Sequence, residues 1–227
     1  PEARGRGPCI EAVCPGDHRQ GWQAAGMPRP LSIPLEEGRR AFLEALRTFR
    51  AGCESLDDLA LLAPSRAQGW SRLDCIVHVR TGLQEMLAGS RADTDTPADT
   101  DAASYWTAFA AQEADDPVPG IFVTRRTASA YTRPRQALQH LDEVCAGWEH
   151  HAPALPDGRI SFQGLVLTTG DFLATWAVEL VVHQLDLDLP AGAPPPAASA
   201  MRIARRTVDA LGTAPAGEAD DAKAVLA

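Results

Sequence analysis

A glutamate and a histidine one helical turn apart, inside an otherwise apolar stretch, are the residues best placed for chemistry. They stand in the run from Trp176 to Asp186, as Glu179 and His183. A spacing of i, i+4 puts both on one face of a helix. Trp176, Val178, Leu180, Val181, Val182 and Leu185 surround them, and ionisable groups buried there without partners would be costly. A divalent metal answers the need of both. So does a plain Glu–His hydrogen bond at the edge of a core, and an E-x-x-x-H taken alone favours that simpler reading. Asp186, one turn after His183, would orient the imidazole from behind as a hydrogen-bond acceptor, or simply sit at the helix end.

The second piece is His78, in Leu73-Asp-Cys-Ile-Val-His78-Val. A lone histidine on an apolar face is more often a satisfied core residue than a ligand. Asp74 follows Ser71 by three residues and reads as part of a helix cap. Cys75 reads as packing, with a redox or ligand role as its alternative. Taken together, His78, Glu179 and His183 form a His₂Glu set on two helices. Such a set leaves a coordination position open, as catalytic rather than structural zinc sites do. An open site of this kind lowers the pKa of bound water or of a thiol.

A competing cluster is His140, Glu143, Cys145, Glu149, His150 and His151. Its helix is amphipathic, however, so these side chains read as a solvated face, with the histidine pair suited to the helix C-terminal dipole. Arg125-Arg126 would meet an anionic substrate or lie in solvent. Arg80, two residues from His78, points away from it. The sequence has no G-x-G-x-x-G, Walker A loop, G-x-S-x-G elbow or C-x-x-C.

The elements that must hold these residues read as helices. Leu35, Phe42, Leu43, Leu46 and Phe49 share a face, with Gly52 as the expected stop. A short pattern, LDDLALLAP, follows. Ser71 caps a helix predicted from Arg72 to Gly89, and a third runs from about Ala102 to Gln112. DDPVPG reads as a break. The next helix is predicted from Thr127 to His150, bent at Pro134. HAPALPDGRISFQG reads as a loop with some extended character. Thr168 and Asp171 cap the helix that carries Glu179 and His183. After AGAPPPAAS, weaker helices are expected over 200–211 and from Ala219 onward. Residues 1–30 read as a disordered tail, with Met27 as a natural start. Residues 31–190 read as the metal-binding bundle, and 191–227 as a Pro-rich linker with a short helical segment. The fold class is all-α, a four-helix bundle with a short C-terminal helical extension.

The chain has 227 residues with 21 Lys+Arg against 30 Asp+Glu. That is enough for one substantial core. The net charge of −9 speaks against a nucleic-acid partner. No apolar stretch is long enough to span a membrane. Five cysteines, an odd number without close pairing in the body of the chain, argue against a disulfide framework and for the cytoplasm. An apolar helix face would suit a homodimer.

Two blocks carry a family resemblance. GWSRLDCIVHV resembles the G-W-[ST]-x-x-D-x-x-x-H block of the DinB-like metalloenzymes. ELVVHQLDL resembles the E-x-x-x-H-x-x-D-L block of their mycothiol-dependent maleylpyruvate isomerase branch. The resemblance spans Leu35 to Leu189. It implies a four-helix bundle holding a divalent metal, commonly Zn2+, on His78, Glu179 and His183. It also implies a small thiol, mycothiol, as co-substrate. The metal would favour its thiolate, which would attack a small electrophilic substrate, giving isomerisation or S-transfer. Two alternatives stay open: a hydrolase using metal-bound hydroxide, and a non-catalytic bundle that binds a metal or a small molecule.

Overall fold

The computed structural model describes residues 28–112, 116–212 and 220–226. Four long helices set the architecture: α1 (Leu35–Glu54), α3 (Arg72–Gly89), α6 (Gln136–His151) and α7 (Thr169–Asp186). Each of α1 and α3 packs against both α6 and α7, which closes a four-helix bundle. Shorter elements decorate it: α2 (Asp58–Leu62), α4 (Ser104–Gln112), α5 (Val118–Ser129), α8 (Ala198–Leu211) and α9 (Asp221–Leu226). The protein is mostly helical, as the apolar periodicity predicts.

Helix α7 is the centre of the bundle. All of it except Val182, Leu185 and Asp186 is buried, as its nearly uninterrupted apolar character requires. Its first turn abuts the start of α1. A Cβ on Gly170 would lie 2.8 Å from the Leu35 nitrogen and 2.9 Å from the Pro34 carbonyl carbon, so only glycine permits this approach. The Thr168 side chain accepts from the Asp171 N–H. The Asp171 carboxylate does not close a full capping box. One oxygen accepts from the Thr168 hydroxyl (2.7 Å) and the other from the Ile33 N–H (2.7 Å), pinning the entry of α1 instead.

Helix α3 runs antiparallel to α7. At its start, Arg66 N–H donates to the Asp186 carbonyl (2.7 Å) and Arg72 Nε to the Leu187 carbonyl (2.6 Å). Ser71 and Asp74 form the predicted capping box, in which Asp74 accepts from both the Ser71 N–H (2.8 Å) and its hydroxyl (2.7 Å).

Three expectations need correction. Helix α1 continues through Gly52 to Glu54. Gly52 is buried inside it beside Leu189, and the cap is Ser55 in a right-handed conformation. The helix expected from Thr127 to His150 is two helices, α5 and α6. Pro117 and Pro119 initiate α5 rather than break the chain, because the first-turn N–H groups have no intrahelical acceptor to lose. Finally, the expected loop before α7 is an antiparallel hairpin of β1 (Arg159–Phe162) and β2 (Leu165–Thr168), with Phe162 opposite Leu165.

Helix α8 ends at Gly212, whose φ of 72° is the left-handed stop. Ala200, Ile203 and Ala204 are fully buried within the same core as the bundle. The readings of residues 1–27 lie outside the described residues. No helix among the described residues is long and apolar enough to cross a membrane.

Candidate metal centre

Antiparallel packing of α3 on α7 brings His78 opposite Glu179 and His183. One ligand atom from each lies within 4.8 Å of the others, and all three residues are buried. The two imidazoles meet edge to face at 4.8 Å between centroids. His183 Nε2 stands 3.3 Å from Glu179 Oε2. Its other nitrogen, Nδ1, lies 3.1 Å from Asp186 Oδ2. With Nδ1 turned to Asp186, Nε2 is the nitrogen that faces Glu179 and His78. Burial, and secondarily the nearby His183, push the His78 imidazole down to about 3. It is therefore neutral at physiological pH and has a lone pair to offer.

Two neighbours were not assigned to the site from sequence. The Trp70 indole lies 4.9 Å from the His78 ring and 6.4 Å from that of His183. It covers both from the N-terminal side of α3. Cys75 Sγ lies 3.6 Å from His183 Nδ1, on the side Asp186 also uses. Burial raises the Cys75 thiol above its ordinary value, and His183 partly offsets this. The Gly-Trp-Ser start of the first block was the signal for Trp70. Cys75, one turn before His78, signalled its position but not its partner, because that partner is on another helix. On the C-terminal side, Gly82 gives clearance to Trp176, whose ring would contact any Cβ there.

The competing cluster does not converge. His140 meets the Tyr131 hydroxyl (3.1 Å), His151 meets the Ser90 hydroxyl (2.9 Å), and Glu149 pairs with Arg47 (3.6 Å). Cys145 is buried, its thiol pushed up to about 12 by desolvation. Arg126 turns back to the Phe122 carbonyl. Arg125 lines a surface cleft of ≈ 590 Å³ whose wall also includes Trp70, Gln68, Ser71 and Ser129. Arg80 donates to Gln84.

The donor set of two imidazoles and a carboxylate, with an aspartate behind His183, fits a divalent transition metal. The fold itself is shared with known proteins. Two solved structures, the mycothiol-dependent maleylpyruvate isomerase and a histidine-to-alanine mutant of it, superpose with a TM-score of 0.54 at 15% and 14% identity. Each alignment covers 78% of this chain and 70% of that one. No curated protein matches the sequence. The family model of the mycothiol maleylpyruvate isomerase N-terminal domain matches residues 42–188, a span that covers the bundle except the first two turns of α1 and holds every residue of the His78–Glu179–His183 cluster. On that match the chain belongs to the mycothiol maleylpyruvate isomerase N-terminal domain family.

Proposed function

We propose that this protein is a metal- and thiol-dependent enzyme, an isomerase or S-transferase, with His78, Glu179 and His183 as the metal ligands. The convergence of one atom from each residue within 4.8 Å carries the reading. A divalent cation held there, most simply Zn2+, supplies positive charge that favours the thiolate form of a thiol. Mycothiol is the thiol that the family suggests.

The chain's own residues prepare the site. Burial keeps His78 neutral. Asp186 fixes the His183 ring through Nδ1. Trp70 covers both imidazoles and limits water. A thiolate co-substrate adds to an activated double bond, allows rotation and leaves again, which is isomerisation. Alternatively it displaces a leaving group, which is S-transfer. In this reading residues 31–190 are the working unit, with 191–227 as an extension, in a cytoplasmic protein that pairs as a homodimer.

Elemental analysis of the chain and of His183→Ala, both purified without chelator, tests the centre. About one divalent metal per chain, lost in the variant, is expected. No metal in wild type reconstituted with excess zinc overturns the reading. Dependence of turnover on added thiol then separates it from metal-assisted hydrolysis.

A further inference from the structure

We infer that the cleft between α2, α5 and the start of α3 is the port through which small anions reach the metal centre. Arg125 draws them in, and Trp70 is the inner wall they displace. The inference rests on the metal-centre reading above. His78, Glu179 and His183 are 6%, 9% and 1% exposed, so a ligand that takes the open coordination position needs a way in. The cleft of ≈ 590 Å³ has the size of small-molecule sites, about 300–1,000 Å³. Two of its lining residues belong equally to the surroundings of the centre. Asp74 stands one turn before His78 on the same face of α3. Trp70 lines the cleft, and the same indole lies 4.9 Å from the His78 ring and 6.4 Å from that of His183.

Trp70 has a fixed backbone and an unanchored ring. Its N–H donates to the Ala67 carbonyl (3.1 Å), and its carbonyl accepts from both the N–H and the hydroxyl of Ser65 (3.0 Å each). The indole has no such tie. Its Nε1 is buried and has no hydrogen-bond partner among the described residues. Trp148, by contrast, fixes its ring by donating from Nε1 to the Leu83 carbonyl (2.9 Å). A buried N–H without an acceptor is unfavourable, and a ring turned out into the cleft gives that N–H water. Rotation about the side-chain bonds of Trp70 then uncovers His78 and breaks none of the bonds that hold the loop.

The charge at the cleft selects what enters. Arg125 and Asp74 are the ionisable side chains that line it. Asp74 is buried, and its Oδ2 already accepts from the N–H (2.8 Å) and the hydroxyl (2.7 Å) of Ser71. Arg125 is exposed and pairs with no carboxylate among the described residues. On a chain of net charge −9, a free guanidinium sets a local positive potential that draws anions to this cleft. Gln68 and Ser129, on the same wall, add hydrogen-bond donors for an anionic oxygen.

The test strips cobalt(II) from the full chain and follows the loss of its visible absorption. Two flat chelators are compared: dipicolinate, a dianion, and phenanthroline, which is uncharged. Removal from wild type is expected to quicken with chelator concentration, because the chelator enters the site. Arg125→Glu is expected to slow dipicolinate about tenfold and to leave phenanthroline within about twofold. Trp70→Ala is expected to speed both about tenfold, with the equilibrium affinity for cobalt within about threefold of wild type. Trp70→Phe, which keeps a ring in place, should fall between, and it decides the matter if Trp70→Ala does not fold. A removal rate that neither chelator changes overturns the port, because the metal then leaves unaided. An Arg125→Glu effect equal for both chelators also overturns it. So does a Trp70 variant whose rate is unchanged or rises only as affinity falls, because Trp70 then merely steadies the centre. Each of these results leaves the centre standing. If wild type binds no cobalt at all, the metal-centre reading fails, and the port falls with it.

Discussion

Substituting Gly82 by alanine sets two effects of known sign against each other. Replacing a mid-helix glycine by alanine favours the helix by about 1 kcal/mol. Here the new methyl would meet the Trp176 indole, with Cζ3 at 3.0 Å and Cζ2 at 3.2 Å and Cη2 closer still. Carbon atoms rest at roughly 3.5–4.0 Å, so the ring or the helix must give by more than half an ångström. Trp176 is buried, and overpacking of this kind costs about 1–3 kcal/mol. The clash wins, by about 1 kcal/mol at mid-range, and Tm falls by about 2–4 °C for a chain of this size. The displacement also reaches the site, since His78 is one turn before Gly82 and Glu179 is three residues after Trp176. Metal affinity in a chelator competition should fall by about 10- to 100-fold, on the scale of losing the outer partner of a ligand. Gly82→Ala combined with Trp176→Phe should recover part of both losses, a coupling that separate sites would not show. A Gly82→Ala chain that melts higher than wild type and holds metal equally well would refute the argument, because the tryptophan would then have room to spare.

Other expectations follow from the same geometry. Asp186→Asn replaces the carboxylate that accepts from His183 Nδ1, and chelator competition should show about a 10- to 100-fold loss of metal affinity. Unchanged affinity would exclude its orienting role. Gly170→Ala drives a methyl into the backbone of residues 33–35, where no side chain can yield, and should cost about 2–3 kcal/mol in urea denaturation. In the metal-free chain, burial depresses both His78, to about 3, and His151. The unfolded chain then binds more protons, so stability present above the ordinary histidine value of about 6.5 should fall as pH drops toward 3. Thermal melts in chelator should show a shallower decline for His78→Phe than for wild type, and equal slopes would contradict the burial argument.

The sequence exposed those parts of the site that one helix carries. Glu179, His183 and Asp186 are one turn apart along α7, and helical spacing alone places them together. Ser71 and Asp74 fix where α3 begins, and hence which face bears His78. What spacing cannot show is the register between helices. That register sets Cys75 against His183 Nδ1, lays Trp70 over both imidazoles, and makes Gly82 the clearance for Trp176. The missed hairpin has a related cause. Each strand has four residues, too few for alternation to stand out. β2 also runs directly into the Thr168–Asp171 cap of α7, with no turn residues between them to mark where the strand ends. Its turn lacks the Asn-Gly signal because Gln163 occupies the first loop position. The residue that hid the hairpin from pattern reading is the one whose side chain ties β1–β2 to α3 and α4. A local rule broken without local benefit is therefore informative: it marks a position whose residue answers to something outside its own element. On that argument Gln163 answers to its bonds with Glu85 and Tyr105 rather than to the turn it occupies.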